Sequence, residues 1–305
     1  MMVEKMANLK IAIVALVRGY PNRKHLYESL IKRNNSIYKN INKFRNNKAD
    51  IILFHEGNIS KDDKDYISSE SVEYIKFINV SEYFEKISLK LEEEEKFNLG
   101  YRQMCRFNMF HIWNKVENYD YILRADEDVE VLKFNPHIFE YMDSNNITFF
   151  TGRFSKEIHR KTNETLPDYL TKNTNLDVDR IYNHKFPYTN FYASKVDFWR
   201  DKNVLSLLET IALSDKQIIY RWGDIPVIGG VLNHEQERIR LFPKLEYRHI
   251  SHDLIIKNNF VRNLTINSKF NPISIKESFF KQILLKIKTK ISNNKSYPKY
   301  DFRNY

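Results

Sequence analysis

The sequence predicts an α/β domain whose parallel sheet is covered by helices. The observations behind this are a β-α-β opening and a continuing alternation of short apolar runs with helix-like stretches, without internal repeats. Ile11 to Val17 (IAIVALV) is apolar and rich in β-branched residues, and reads as a buried strand followed by a turn at Arg18 to Asn22. Leu26 to Ile41 reads as a helix, Asp50 to Phe54 as a second strand ending at His55-Glu56-Gly57, and Val72 to Val80 as a third. The acidic stretch Leu89 to Phe97 suits a solvated helix or loop. Tyr101 to Trp113 reads as a helix with a heavily apolar side, and Tyr119 to Leu123 as another strand. Ile147 to Phe154 is a further strand, residues 155–186 are polar enough to suggest a long surface loop, and Val204 to Leu213 is a short helix. Ile218 to Leu232 carries a Trp-Gly-Asp segment, and Ile239 to Phe242 and Leu245 to Ser251 are late strand or loop pieces.

Composition narrows the function classes. Hydrophobic residues make up 42% of the 305 and aromatics 14%, which suits a folded chain. There are only 7 glycines, and neither G-x-G-x-x-G nor G-x-x-x-x-G-K occurs, so a nucleotide must be held without a glycine-rich loop. The formal net charge of +10 attracts anions: nucleic acid, a membrane surface or a diphosphate. No helix-turn-helix, zinc-finger or RNA-recognition motif is present, and nucleic acid is not expected as a partner. Cys105 is the only cysteine and the N-terminus has no signal-peptide core, which together point to a reducing, cytoplasmic setting. The domain is expected over residues 9–265, with a basic tail over 266–305. In that tail Ile275, Phe279, Ile283, Ile287 and Ile291 recur every four residues among lysines, the pattern of an amphipathic helix suited either to an anionic membrane surface or to packing on the domain.

The strongest chemical feature is Tyr119-Asp-Tyr-Ile-Leu-Arg-Ala-Asp-Glu-Asp-Val129, in which an apolar strand ends and the carboxylates Asp126, Glu127 and Asp128 follow at once. Ligands of open α/β sheets bind beyond the carboxyl ends of strands. If the segment is extended, Asp126 and Asp128 point the same way and converge on one hard cation, Mn2+ or Mg2+. Its alternative is a solvated acidic turn.

Four segments then carry a resemblance: Tyr101-Arg-Gln-Met-Cys-Arg-Phe107, Tyr119 to Val129, Asn190-Phe191 through Arg200, and Tyr220-Arg-Trp-Gly-Asp-Ile-Pro-Val227, the last followed by Leu245-Glu-Tyr-Arg-His249. Together they resemble the yeast-type α-1,2-mannosyltransferases, glycosyltransferase family 15. The resemblance covers roughly residues 9–255. It implies a single GT-A domain with a mixed, mostly parallel sheet, a GDP-mannose donor, a carbohydrate acceptor, Mn2+ and retention of anomeric configuration. It places Asp126 and Asp128 in the metal motif and His249 as a further metal ligand. It puts Leu16, Val17 and Arg18 at the border of the nucleotide, Tyr101 and Arg106 beside the donor, and Asp224 in the segment lining the active site. The chain departs from the family pattern at Tyr192, where a glutamate regarded as a candidate nucleophile is usual, and at Glu127, where proline is usual.

Each residue also has a plainer reading. His249 suits a hydrogen-bonded surface histidine, and Asp224 a cap on the helix beginning near Ile225-Pro226. Trp222 suits either a sugar face or the core, and Arg18 and Arg106 either phosphates or surface ion pairs. Tyr192 is either a sugar-contacting hydroxyl or a packing aromatic, and Cys105 reads as core. A UDP-sugar enzyme of the same fold and an inactive glycan-binding protein are the competing readings.

Overall fold

The structure is a computed structural model that describes residues 8–93, 97–182, 184–235, 239–252, 254–257 and 260–263. The strands are β1 (Ile11–Val17), β2 (Asp50–His55), β3 (Ile75–Asn79), β4 (Tyr121–Ala125), β5 (Val129–Lys133), β6 (Phe149–Thr151), β7 (Phe154–Ser155), β8 (Phe186–Pro187), β9 (Phe191–Lys195), β10 (Ile239–Leu241), β11 (Glu246–His249), β12 (Leu254–Lys257) and β13 (Phe260–Asn263). The helices are α1 (Glu28–Asn40), α2 (Lys61–Glu70), α3 (Leu99–Arg106), α4 (Ile112–Lys115), α5 (Ile138–Ser144), α6 (Arg160–Asn173), α7 (Val178–Tyr182), α8 (Val196–Arg200), α9 (Lys202–Ala212), α10 (Asp215–Ile219) and α11 (Asp224–His234). A π-helical turn at Phe107–His111 joins α3 to α4, so the predicted helix over 101–113 is continuous but locally widened.

A seven-stranded sheet runs β10-β6-β9-β4-β1-β2-β3. The pairs β4–β1, β1–β2, β2–β3 and β10–β6 are parallel, while β9 runs antiparallel to β4 and β6, giving a mixed sheet. The unbroken apolar run of β1 has a simple cause. Alternate residues face opposite sides of a strand, and both sides are covered. Ala12 and Val14 join one core with Phe54, Ile122, Cys105, Trp113, Trp199 and the α9 and α11 residues. Ile11, Ile13, Ala15 and Val17 join the other with Leu53, Leu123 and the α1 face. A second, antiparallel sheet runs β13-β12-β11-β5. Since β5 begins directly after β4, the chain passes from one sheet to the other through Asp126-Glu127-Asp128.

Residues 155–186 are not the long surface loop their polarity suggests, since they carry α6 and α7. Most of the few apolar side chains there are used: Leu166, Leu170, Val178 and Ile181 are buried, while Ile158 is exposed. Pro167 within α6 resembles a break in sequence, yet the helix continues through it. The third strand is shorter than predicted, and the predicted boundary at residue 265 and the amphipathic tail helix lie outside the described residues. Among the described residues no helix is long and apolar enough to cross a membrane.

Candidate active site

The candidate site lies where parallel strands β1 and β4 end together. Asp126 to Asp128 form a turn, closed by a hydrogen bond from the Val129 amide to the Asp126 carbonyl at 3.0 Å. The segment is therefore not extended, and the predicted convergence of Asp126 and Asp128 by strand alternation does not hold. Each carboxylate is sent in its own direction. Asp126 Oδ1 accepts from Arg124 Nε at 2.8 Å, Glu127 accepts from the Arg18 amide and Nε, both at 2.9 Å, and Asp128 Oδ2 faces His249 Nε2 at 3.2 Å.

The β5–β11 ladder explains the last contact. Its register sets His249 opposite Val129, and the Ile250 amide continues the ladder to the Asp128 carbonyl at 2.8 Å. A residue more than a hundred positions away is thus delivered to the acidic turn by backbone pairing. The Ser251 hydroxyl and amide also donate to Asp128 Oδ2. Burial raises the Asp128 carboxyl, but the hydrogen bonds from His249 and Ser251 outweigh it and bring the pKa down to about 2.

Arg124 is the hub of the site. Its side chain is 5% exposed, and its guanidinium spans Asp126 Oδ1 at 2.8 Å and Asp224 Oδ2 at 2.7 Å. It thereby ties the end of β4 to the first residue of α11. Gly223 occupies the N-cap position of α11 and Asp224 makes no capping bond, so the capping role read from the sequence is replaced by this buried ion pair. Just before it, Arg221 adopts a left-handed conformation (φ 59°) that ordinary side chains rarely take. Glu157 grips its guanidinium at 3.3 Å, the Tyr101 hydroxyl accepts from it at 2.8 Å, and it lies over the Phe97 ring at 4.4 Å. These contacts fix the turn that aims Asp224 at Arg124.

Asp126 is pushed up to about 6 by burial and by the neighbouring Asp128 and Asp224, against the pull of Arg124. A carboxyl raised in the folded state stabilises below its ordinary pKa and loses that contribution as pH rises through the folded value. With metal chelated, the stability of Asp126→Asn relative to wild type is therefore expected to increase between about pH 4 and pH 7. The side chain is 30% exposed, so solvent screening holds the change to about 1–2 kcal/mol. Urea unfolding of both proteins across that range reads it directly, and a flat difference refutes it.

No family model matches the chain. In sequence it is 31% identical over 172 residues to the O-glycoside alpha-1,2-mannosyltransferase omh1 of Schizosaccharomyces pombe, an alignment covering 49% of this chain and 44% of the relative. The match thus spans less than half of that relative's length. In structure it superposes on core-mannan synthase A of Aspergillus fumigatus in its Mn/GDP form with a TM-score of 0.62 at 20% identity, covering 79% of this chain and 74% of that one. It also superposes on the mannosyltransferase Ktr4p of S. cerevisiae with a TM-score of 0.63 at 21% identity, covering 81% and 72%. The chain has the GT-A fold of the yeast-type α-1,2-mannosyltransferases and resembles them in sequence.

Within this GT-A fold the predicted site residues separate into two groups. Arg18, Tyr101, Asp126, Asp128, Asp224 and His249 gather around the turn. Leu16 is half-buried and Val17 fully buried at the end of β1 beside it. Trp222, Tyr192 and Arg106 do not present themselves there. Trp222 is fully buried, donates from Nε1 to Thr165 Oγ1 at 2.8 Å and packs on Tyr169, so its ring offers no sugar face. Tyr192 is also fully buried, stacked on Phe149 at 4.8 Å beneath the Arg124 guanidinium, so the packing reading replaces the sugar-contacting one. Arg106 is committed to Gln217 Oε1 at 3.0 Å and the Ser214 carbonyl. Cys105 is core as expected, its thiol pushed up to about 12 by burial. Sequence reasoning named neither Arg124 nor the Glu157–Arg221 pair as functional. An arginine inside an otherwise apolar strand was the available signal for the first.

Two protein ligands suit a divalent cation. The His249 ring is buried with its Nδ1 lacking a hydrogen-bond partner among the described residues, while its Nε2 and Asp128 Oδ2 stand at a separation that one ion could bridge. Among the described residues no group of three or more such side chains is arranged to hold a metal alone. A site of this kind needs further oxygens from a ligand or water, as is usual for cations bound with phosphates.

Proposed function

We propose that the chain is a metal-dependent glycosyltransferase that moves mannose from GDP-mannose to a carbohydrate hydroxyl. The observation that carries this is the Asp128–His249 pair, set beside the Arg124-linked Asp126 and Asp224, at the strand ends of a fold shared with a mannosyltransferase solved in a Mn/GDP form. Asp128 and His249 hold the cation. When bound, it supplies charge neutralisation for the departing nucleoside diphosphate. Asp224, held by Arg124 at the start of α11, orients a sugar hydroxyl. Arg18 reaches the donor from the turn after β1.

Tyr192 is a buried phenol and supplies no carboxylate for a glycosyl-enzyme intermediate. Retention then proceeds by attack on the face from which the diphosphate leaves. The anomeric carbon–phosphate oxygen bond breaks, the acceptor oxygen bonds to that carbon, and its proton passes to the leaving phosphate.

The test is release of nucleoside diphosphate from a panel of GDP- and UDP-sugars, with Mn2+ or with chelator. Release from GDP-mannose that requires Mn2+ and increases with mannoside acceptors is expected. Release confined to a UDP-sugar overturns the donor, and donor or glycan binding without turnover overturns the enzyme.

A further inference from the structure

The carboxylates of the turn and its neighbours have partners: Asp126 and Asp224 share Arg124, Glu127 has Arg18, Glu157 has Arg221, and Asp128 faces His249 and Ser251. Arg153 is the exception in the opposite sense. It follows β6 at the same edge of the sheet, is only half-buried, and pairs with no carboxylate among the described residues. Among the described residues its one side-chain hydrogen bond is a long one, Nε to the Phe154 carbonyl at 3.4 Å. The guanidinium instead lies over the Tyr188 ring at 4.8 Å.

The placement of this pair is built. The Arg153 carbonyl accepts from the Tyr188 amide at 2.9 Å and from Thr151 Oγ1 at 2.8 Å, locking the two backbones together. Gly152 lies so close to Tyr247 that a Cβ there would meet its ring at 2.8 Å, so the chain can pass only with glycine. Tyr188 in turn packs edge-on against His249, ring centroids 6.4 Å apart. Its hydroxyl makes no hydrogen bond among the described residues.

Burying an arginine halfway without a counter-charge costs free energy unless a ligand supplies the charge. We infer that Arg153, stacked on Tyr188, is a substrate-binding residue that takes an oxyanion of phosphate type. Arg153 donates two parallel hydrogen bonds to it and the Tyr188 hydroxyl a third. The oxyanion belongs either to the donor diphosphate or to an acidic group on the acceptor. This rests on the proposed function for its substrates, but the contact itself is open to direct measurement.

The experiment is calorimetric titration of the full chain and of Arg153→Met and Tyr188→Phe with GDP in the presence of Mn2+, with inorganic pyrophosphate, and with mannose and mannose 6-phosphate. Arg153→Met is expected to weaken at least one phosphate-bearing probe about tenfold or more while mannose is unaffected, and Tyr188→Phe to weaken the same probe by less. Loss on GDP and pyrophosphate assigns the donor diphosphate, and loss on mannose 6-phosphate alone assigns the acceptor. Unchanged affinity for all three phosphate probes in Arg153→Met, with an unchanged thermal midpoint, overturns the inference. A wild-type chain that binds pyrophosphate through Arg153 but turns over no nucleotide sugar sinks the proposed function and leaves this contact standing.

Discussion

Arg124→Met is expected to destabilise the protein by about 2–4 kcal/mol, because it leaves buried Asp224 and half-buried Asp126 without their shared cation. Asp126 and Asp224 come from different parts of the chain, one from the turn after β4 and one from the start of α11, and the guanidinium is the only ion-pair partner that either has among the described residues. Arg124 itself is held charged: the attraction of both carboxylates outweighs the burial that would lower its pKa. Once it is gone, nothing opposes the burial that already raises Asp126, so the folded state binds more protons than the unfolded one and the deficit grows as pH rises. Arg124→Lys restores a charge but not the fork that reaches both partners, so it should recover only part of the loss. Urea unfolding at about pH 5 and pH 8 separates these outcomes. A methionine variant within about 1 kcal/mol of wild type at both pH values would show that the pair is solvent-compensated and not structural.

That prediction also shows what the sequence displayed and what it hid. Strands β1, β2 and β4 were legible because both faces of the sheet are covered, leaving continuous apolar runs. Helix α3 was legible from its apolar side, and the strand-then-carboxylate pattern at Asp126 marked the strand ends where the candidate site lies. The fate of individual side chains was less legible. Asp126 and Asp128 take different partners because a turn, not a strand, carries them, and nothing in three adjacent acidic letters distinguishes the two. Trp222 and Tyr192 sit among functional neighbours in sequence but on the covered face in space. Helices α6 and α7 were missed because a few buried apolar residues suffice where the neighbouring core is already large. Arg153 carries no sequence signal at all. Its meaning comes from being left over once every nearby ion pair has been identified, which requires coordinates.

Asp128→Asn and His249→Ala should each abolish the Mn2+-dependent part of donor turnover, a loss of about a hundredfold or more. The two residues are joined by backbone register, not by sequence proximity, so each can be changed without altering the ladder that presents the other. With its pKa near 2, Asp128 is ionised throughout the working range, so as a cation ligand it would have no proton to lose. Asparagine keeps the shape and removes that charge. Alanine at position 249 removes a buried ring whose Nδ1 has no hydrogen-bond partner among the described residues. Its cost in stability should accordingly be smaller than its cost in turnover. The decisive readout is the thermal shift on adding Mn2+ with GDP, measured beside GDP-mannose turnover. Loss of both in both variants, with the metal-free midpoint little changed, locates the cation between β5 and β11. A variant that keeps the full Mn2+-induced shift removes its residue from the ligand set and moves the cation toward Asp126, where Arg124 would first have to release the carboxylate.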